Sequence, residues 1–249
     1  MEKIFHLTED KYLESILNNG LLPQQGIRSN LIEDSKRAVF YSQGYEGVIA
    51  MFFMMLERYD EYRSSEGDIH IESRNIIREM VEDRKAEGRE VGQYLRDRLE
   101  AEERVVEVIN YVRMTDTYKD FLGEGVCLSL TNVDESDEVG QSFYNSWTNS
   151  SVDPRDISVV VLEDRSTGDL LSSKYDVVDY FMGLVSLGEM RDILYDNDID
   201  DDKRNGHFLW QIMSKYYEDN QDRISELSER YRLREMPIAE YCSRKSFVK

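Results

Sequence analysis

Three kinds of residue in this chain stand where they could do chemistry. His6 ends the short apolar run KIFH, directly ahead of a segment patterned as a helix. Tyr41 and Tyr45 close the apolar burst of AVFYSQGYEG, with Ser42, Gln43 and Gly44 between them. Glu240 lies in PIAEYCS, flanked by the apolar Ile238 and Ala239. An imidazole at a strand end can turn its ring into the cleft the strand borders and hydrogen-bond there in its neutral form. A tyrosine at the end of another strand offers a face for stacking. A carboxylate inside an apolar strand either faces solvent or is kept for a task. Each has a plain structural reading too: a strand-end histidine satisfied by backbone, two of sixteen tyrosines packed in a core, and a solvent-facing acid.

The elements that must position these residues can be read in order. Residues 1–8 predict a short strand, KIFHL, ending at Thr8, which can cap the helix that follows. Tyr12, Leu13, Ile16 and Leu17 share one face of that helix, and Asn18-Asn19-Gly20 ends it. After a loop broken by Pro23 and Gly26, AVFYS is β-branched and aromatic, hence a strand. VIAMFFMMLERY is apolar nearly all round and predicts a buried helix. Residues 68–120 then turn rich in Glu and Arg, with apolar residues at helical spacing, and predict two long amphipathic helices broken near Glu87-Gly88. GVCLSLT and ISVVVLED read as strands, separated by a polar loop holding Phe143, Tyr144 and Trp147. YDVVDYF, LGEMRDILYDN and HFLWQIMSKYYEDN read as helices, and MPIAEYCSRKSFV as a last strand. This irregular alternation predicts an α+β fold rather than a doubly wound parallel sheet.

KIFHLTEDKYLESILNNGLLP, RAVFYSQGYEG and EMPIAEYCS together resemble the His-Tyr-Glu signature of the NAD-dependent ADP-ribosyltransferase superfamily, of the diphtheria-toxin and PARP-like fold. KIFHLTEDKYLESILNNGLLP is similar to that family's first strand, the helix behind it and the GL turn that ends it. RAVFYSQGYEGVIAMFF is similar to the next strand and its following helix, PRDISVVVLED to a middle core strand, and EMPIAEYCS to the late strand carrying the catalytic glutamate. The likeness is good over about the first fifty residues, looser over the later strands, and absent from 68–120.

The resemblance implies a split mixed β-sheet core with a helical insertion and a helical C-terminal portion. Its parts are residues 1–67 as the N-terminal half of the core, 68–120 as an acidic helical insertion, and 121–249 as the C-terminal half with additional helices. It implies NAD as co-substrate, glycosyl transfer from NAD to a protein or small-molecule acceptor with release of nicotinamide, and no metal. Glu240, with Glu235 as the neighbouring choice, is the implied catalytic acid; His6, Thr8, Arg28, Tyr41 and Tyr45 are the implied NAD contacts. Breaking the nicotinamide–ribose bond builds positive charge on the sugar, as in glycoside hydrolysis. A well-placed carboxylate is worth roughly 3 kcal/mol in such a state, and a tyrosine stacked on the nicotinamide about 1 kcal/mol beyond burial. Many members carry Gly after the histidine, where backbone grips the nicotinamide amide; here that residue is Leu7. Two alternatives share the fold: an inactive binding module, which Leu7 favours, and an RNA 2′-phosphotransferase.

Charge bears on those alternatives. With 51 acidic against 31 basic residues the formal net charge is −20, which repels phosphate backbones and anionic membranes. DNA is therefore not expected as a partner, RNA is disfavoured, and no membrane association is expected. Cys127 and Cys242 are the only cysteines, too few for a disulfide framework. No segment has secretory or membrane-spanning character, so a cytoplasmic protein is expected. Neither a Rossmann nor a P-loop glycine pattern occurs, nor HExxH or GxSxG. The acidic run 196–203 departs from a calcium loop, with Asp201 and His207 where Gly and Glu are needed, and reads as a solvated loop.

Overall fold

The computed structural model describes residues 3–23, 38–133, 146–196 and 203–246. It is an α+β protein whose strands form one antiparallel sheet. Two compact units divide the described chain: a sheet unit built from three stretches, and a helical unit spanning residues 55–122.

In the sheet unit, β1 (Ile4–Glu9), β2 (Val39–Gln43), β3 (Gly125–Leu130), β4 (Ser146–Thr148) and β5 (Ile157–Asp164) take the order β4-β2-β1-β3-β5. Strand β5 pairs further with β6 (Leu170–Leu171) and β7 (Tyr231–Pro237). Period-2 alternation gives the sheet two apolar faces. On one face Leu128, Leu130, Val159 and Val161 meet Leu13 and Ile16 of α1 (Leu13–Asn19) together with Ile238 and Tyr241 of α9 (Ile238–Ser246). On the other, Phe5 packs on Phe181 of α6 (Lys174–Leu184), ring centroids 5.4 Å apart. Gly20 ends α1 at φ 76°, as the Asn-Asn-Gly pattern predicts. Gly125 lets β3 approach β1 so closely that a Cβ there would lie 1.9 Å from the Thr8 carbonyl.

Helix α2 (Gly44–Arg63) fits its nearly uniform apolarity: Val48, Ile49, Phe52 and Phe53 are all buried. Phe52 meets Tyr175 of α6 edge-on, and Phe53 meets Tyr216 of α8 (Lys203–Arg230). Helices α6 and α8 are further tied by polar contacts. Tyr216 donates to the buried Asp179 at 2.9 Å, and Arg223 pairs with Asp179 at 2.8 Å and with Asp176. Helix α7 (Leu187–Asp196) precedes α8.

The helical unit is dominated by the hairpin of α3 (Glu66–Ala86) and α4 (Gln93–Arg113), turned at Gly88 and followed by the short α5 (Tyr118–Leu122). Val105, Ile109 and Val112 form the buried stripe of α4. Phe121 of α5 is enclosed by the rings of Tyr59 and Tyr111, centroids 5.5 and 5.6 Å away. Arg78–Glu103 at 2.6 Å and Ser73–Glu102 at 3.0 Å link α3 to α4.

Four expectations need correction. The described strands pair only antiparallel, not as the mixed sheet that the resemblance implies. Residues 238–246 are a helix, not a strand; the strand is YRLREMP just before it. Thr8 does not cap α1, because β1 runs on to Glu9 and a 3-10 turn (Asp10–Tyr12) intervenes before the helix begins at Leu13. The segment around Trp147 is not wholly loop, since Ser146–Thr148 pairs with β2. Phe143, Tyr144 and residues 197–202 of the acidic run lie outside the described residues.

The end of β5 carries a carboxylate that locks the β5–β6 turn. Asp164, 2% exposed, accepts from the Ser166 hydroxyl at 2.6 Å, from the Ser166 and Thr167 amides at 2.7 and 3.1 Å, and from Arg230 at 2.6 Å. The Ser166 hydroxyl first, then the two amides and the Arg230 guanidinium, hold its carboxyl far below the usual carboxylate range. A depressed folded pKa contributes stability above the unfolded value of about 4, lost as pH falls through the folded one. Chemical unfolding of wild type and Asp164→Asn between pH 7 and acid checks this. Wild type is expected to be the more stable at neutral pH, with its advantage shrinking as pH drops below about 4; a pH-independent gap contradicts the assignment.

Candidate functional site

The geometry around His6 starts from a break in backbone pairing. β1 pairs with β3 along its whole length, from Ile4↔Leu130 to Glu9↔Gly125. Its other edge pairs with β2 only at Ile4↔Gln43 and Phe5↔Ser42. One step further, a regular antiparallel ladder would bring the Leu7 amide to the Phe40 carbonyl. The two strands part there instead, and β2 goes on to pair with β4 through Tyr41, Phe40 and Val39. The Phe40 carbonyl is taken by the His6 imidazole, whose Nδ1 lies 2.6 Å away. This leaves the backbone of Leu7 turned toward the gap.

That hydrogen bond fixes the imidazole. A carbonyl can only accept, so Nδ1 carries the proton and donates. Burial lowers the His6 pKa from its ordinary value, the Phe40 carbonyl acts in the opposite direction, and the Lys174 ammonium lowers it again. The ring is thus neutral at pH 7, with Nε2 presenting a lone pair as acceptor.

Lys174 is the residue that sequence reasoning missed. It is only 4% exposed although it opens α6 immediately after Ser173, which caps the helix by accepting from the Tyr175 amide. A lysine in a first helical turn opposes the helix dipole. That mismatch in SSKYD is the signal that could have marked it. Next to it, Ser172 and Tyr241 of α9 share a hydrogen bond of 2.8 Å.

The sequence-predicted residues are brought together only in part. His6 and Tyr41 stand on neighbouring strands, and Thr8, buried, lies two residues along β1 from His6. The Tyr41 ring does not line an open cleft, however. It is 1% exposed and belongs to the core with Leu13, Ile16 and Tyr241, because an aromatic at an inward position of a central strand gains most from burial. Tyr45 is in the first turn of α2 rather than at a strand end. Its ring lies 4.4 Å from Phe181 and 5.8 Å from Phe5. Arg28 lies outside the described residues.

The two acids are placed differently from each other. Glu240 sits in the first turn of α9, its carboxylate 2.8 Å from Arg244 and 3.6 Å from Arg234. Glu235 is the strand-borne one, opposite Val160 in β7, and receives a 2.7 Å hydrogen bond from Lys3. Both cysteines are free, and burial pushes the Cys127 thiol far up, which leaves it unfit as a nucleophile. Among the described residues no group of three His, Cys, Asp or Glu side chains could hold a metal ion, and no helix is long and apolar enough to cross a membrane.

No family model, curated protein or solved structure matches the chain.

Nitrogen-15 NMR of the histidine rings tests the site's electrostatics. His6 is expected as the Nδ1-protonated tautomer with a pKa below the ordinary value of about 6.5, and Lys174→Met should move that pKa upward. A His6 that titrates normally, or that ignores the loss of Lys174, contradicts the described geometry.

Proposed function

We propose that the chain is an ADP-ribosyltransferase-like protein that takes NAD at the gap between β1 and β2 and transfers ADP-ribose from it. The observation that carries this reading is the parted ladder with its neutral, anchored histidine. The residues at the gap fit the co-substrate by chemistry. The Nε2 lone pair of His6 suits a ribose hydroxyl as donor. The backbone amide and carbonyl of Leu7 suit a carboxamide, and because backbone makes that grip, a leucine can stand where many members have glycine. The Lys174 ammonium, close enough to act on His6, supplies positive potential for a diphosphate. NAD when bound supplies the ADP-ribosyl group and nicotinamide as leaving group; the acceptor is a protein or a small molecule.

A carboxylate is needed to hold the sugar as positive charge develops on it. Glu240 keeps that role here, which requires its side chain to exchange the two arginines for a ribose hydroxyl. The arginine pairing also favours an alternative reading, in which the same gap binds NAD without turning it over. Glu235, on the strand, is the other acid to be tested.

Incubation with NAD and measurement of nicotinamide release separates these readings. Wild type is expected to release nicotinamide. Glu240→Gln should lower kcat about 100-fold or more, His6→Ala should raise KM, and Glu235→Gln should leave turnover near wild type. Heat of binding without nicotinamide release supports the binding-only reading. Neither heat nor release at millimolar NAD overturns both.

A further inference from the structure

Among the described residues, the hairpin of α3 and α4 leaves an apolar stripe exposed. The buried apolar residues of the pair include Ile77 and Val81 of α3 and Val105, Ile109 and Val112 of α4. On α3 another stripe runs through Ile69, Ile76 and Met80, the 7- and 4-residue steps of a coiled-coil seam. Beside it stands Tyr94 of α4. Ile69 is 66% and Tyr94 69% exposed, although large apolar side chains are ordinarily the first to be covered. These residues line a groove of about 420 Å³.

Two charges flank the groove, Glu72 on α3 and Arg98 on α4. Some acids and bases of the hairpin are paired, as in Arg78–Glu103 and Arg104–Glu100. Glu72 and Arg98 form no ion pair with each other or with any described residue; Arg98 donates only to the Tyr94 hydroxyl, at 3.0 Å. The groove thus carries one acid on one wall and one base on the other, around an apolar floor.

We propose that this groove is a self-association surface, in which a second copy of the chain packs its α3–α4 hairpin against the first about a two-fold axis to complete a four-helix bundle. The charge pattern selects this occupant. A two-fold axis sets Glu72 of one copy against Arg98 of the other, twice, leaving neither charge unpaired, which is the self-complementarity an isologous contact requires. A purely acidic or purely basic partner would strand one of the two. The groove is also locally neutral on a chain of net charge −20, so two like-charged copies can approach there without direct repulsion. The four apolar side chains expose about 400 Å² per copy, within the range of patches on monomers that are often functional. Two such patches with their polar rims reach the lower end of specific interfaces, about 1,000 Å², so the dimer is reversible rather than permanent.

Sedimentation equilibrium of the full chain from about 1 µM to about 1 mM tests this. The mass should rise with concentration from 29.3 kDa to twice that value. Ile76→Glu, at a solvent-facing position and so without effect on the circular dichroism or thermal midpoint of the dilute protein, should weaken association about 10-fold or more. Glu72→Arg and Arg98→Glu should each weaken it, and the double variant should restore it. A monomer at every concentration, as expected if the groove instead takes another protein or a segment of this chain, overturns the proposal. So does a dimer that Ile76→Glu leaves intact, or single-variant losses that add in the double variant instead of cancelling.

Discussion

The site depends on a single hydrogen bond, from the His6 imidazole to the Phe40 carbonyl. A buried carbonyl left without a donor costs roughly 1–3 kcal/mol. When β1 and β2 part after Phe5↔Ser42, the carbonyl that the Leu7 amide would have bonded needs another donor. The imidazole supplies it from its own side chain, so the gap stays open without that penalty. The same bond fixes the tautomer and leaves Nε2 as an acceptor. One contact therefore sets both the shape of the gap and the polarity of what lines it.

The remainder of the sheet unit holds the two strands apart while keeping each rigid. β1 is committed to β3 over six residue pairs, and β2 to β4 over three, so neither can slide to close the ladder. Apolar faces fix the register on both sides, because a one-residue slip would turn Phe5 away from Phe181 and Leu128 away from its core. Lys174 is placed by the cap at Ser173, and α6 is in turn tied to α8 by Asp179, Tyr216 and Arg223. The two acids have partners of their own, Lys3 for Glu235 and arginines for Glu240. Glu235 belongs to the β7 ladder and Glu240 to the α9 surface, where two arginines hold it.

Much of the fold was legible in the chain because strong local signals agreed. The β-branched run of β5, the glycine stops at Gly20 and Gly88, and the helical spacing of residues 68–120, which forms two helices, all agree with the elements found. The end of the chain misled because PIAEYCS is too short to separate period 2 from period 3.6. Ile238, Tyr241 and Cys242 also fit a helix face, and Pro237 just ahead of them is a common helix start. Strand β7 was hidden by its own charges, since Arg232, Arg234 and Glu235 bring polarity to an edge where alternation is blurred. At the site, His6 and its strand could be read, whereas Tyr41's burial and Lys174's could not. Burial of a side chain on a central strand or at a helix start is decided by elements far away in sequence, here α1, α9 and β1.

The proposed activity stands or falls on whether the free nitrogen of His6 meets NAD. The direct measurement is the nitrogen-15 resonance of His6 Nε2 during titration with NAD, in protein labelled at histidine. A saturable shift of that nitrogen, with His70 and His207 unmoved and the Nδ1 proton still bonded, is the predicted result. An imidazole that does not respond at millimolar NAD contradicts it.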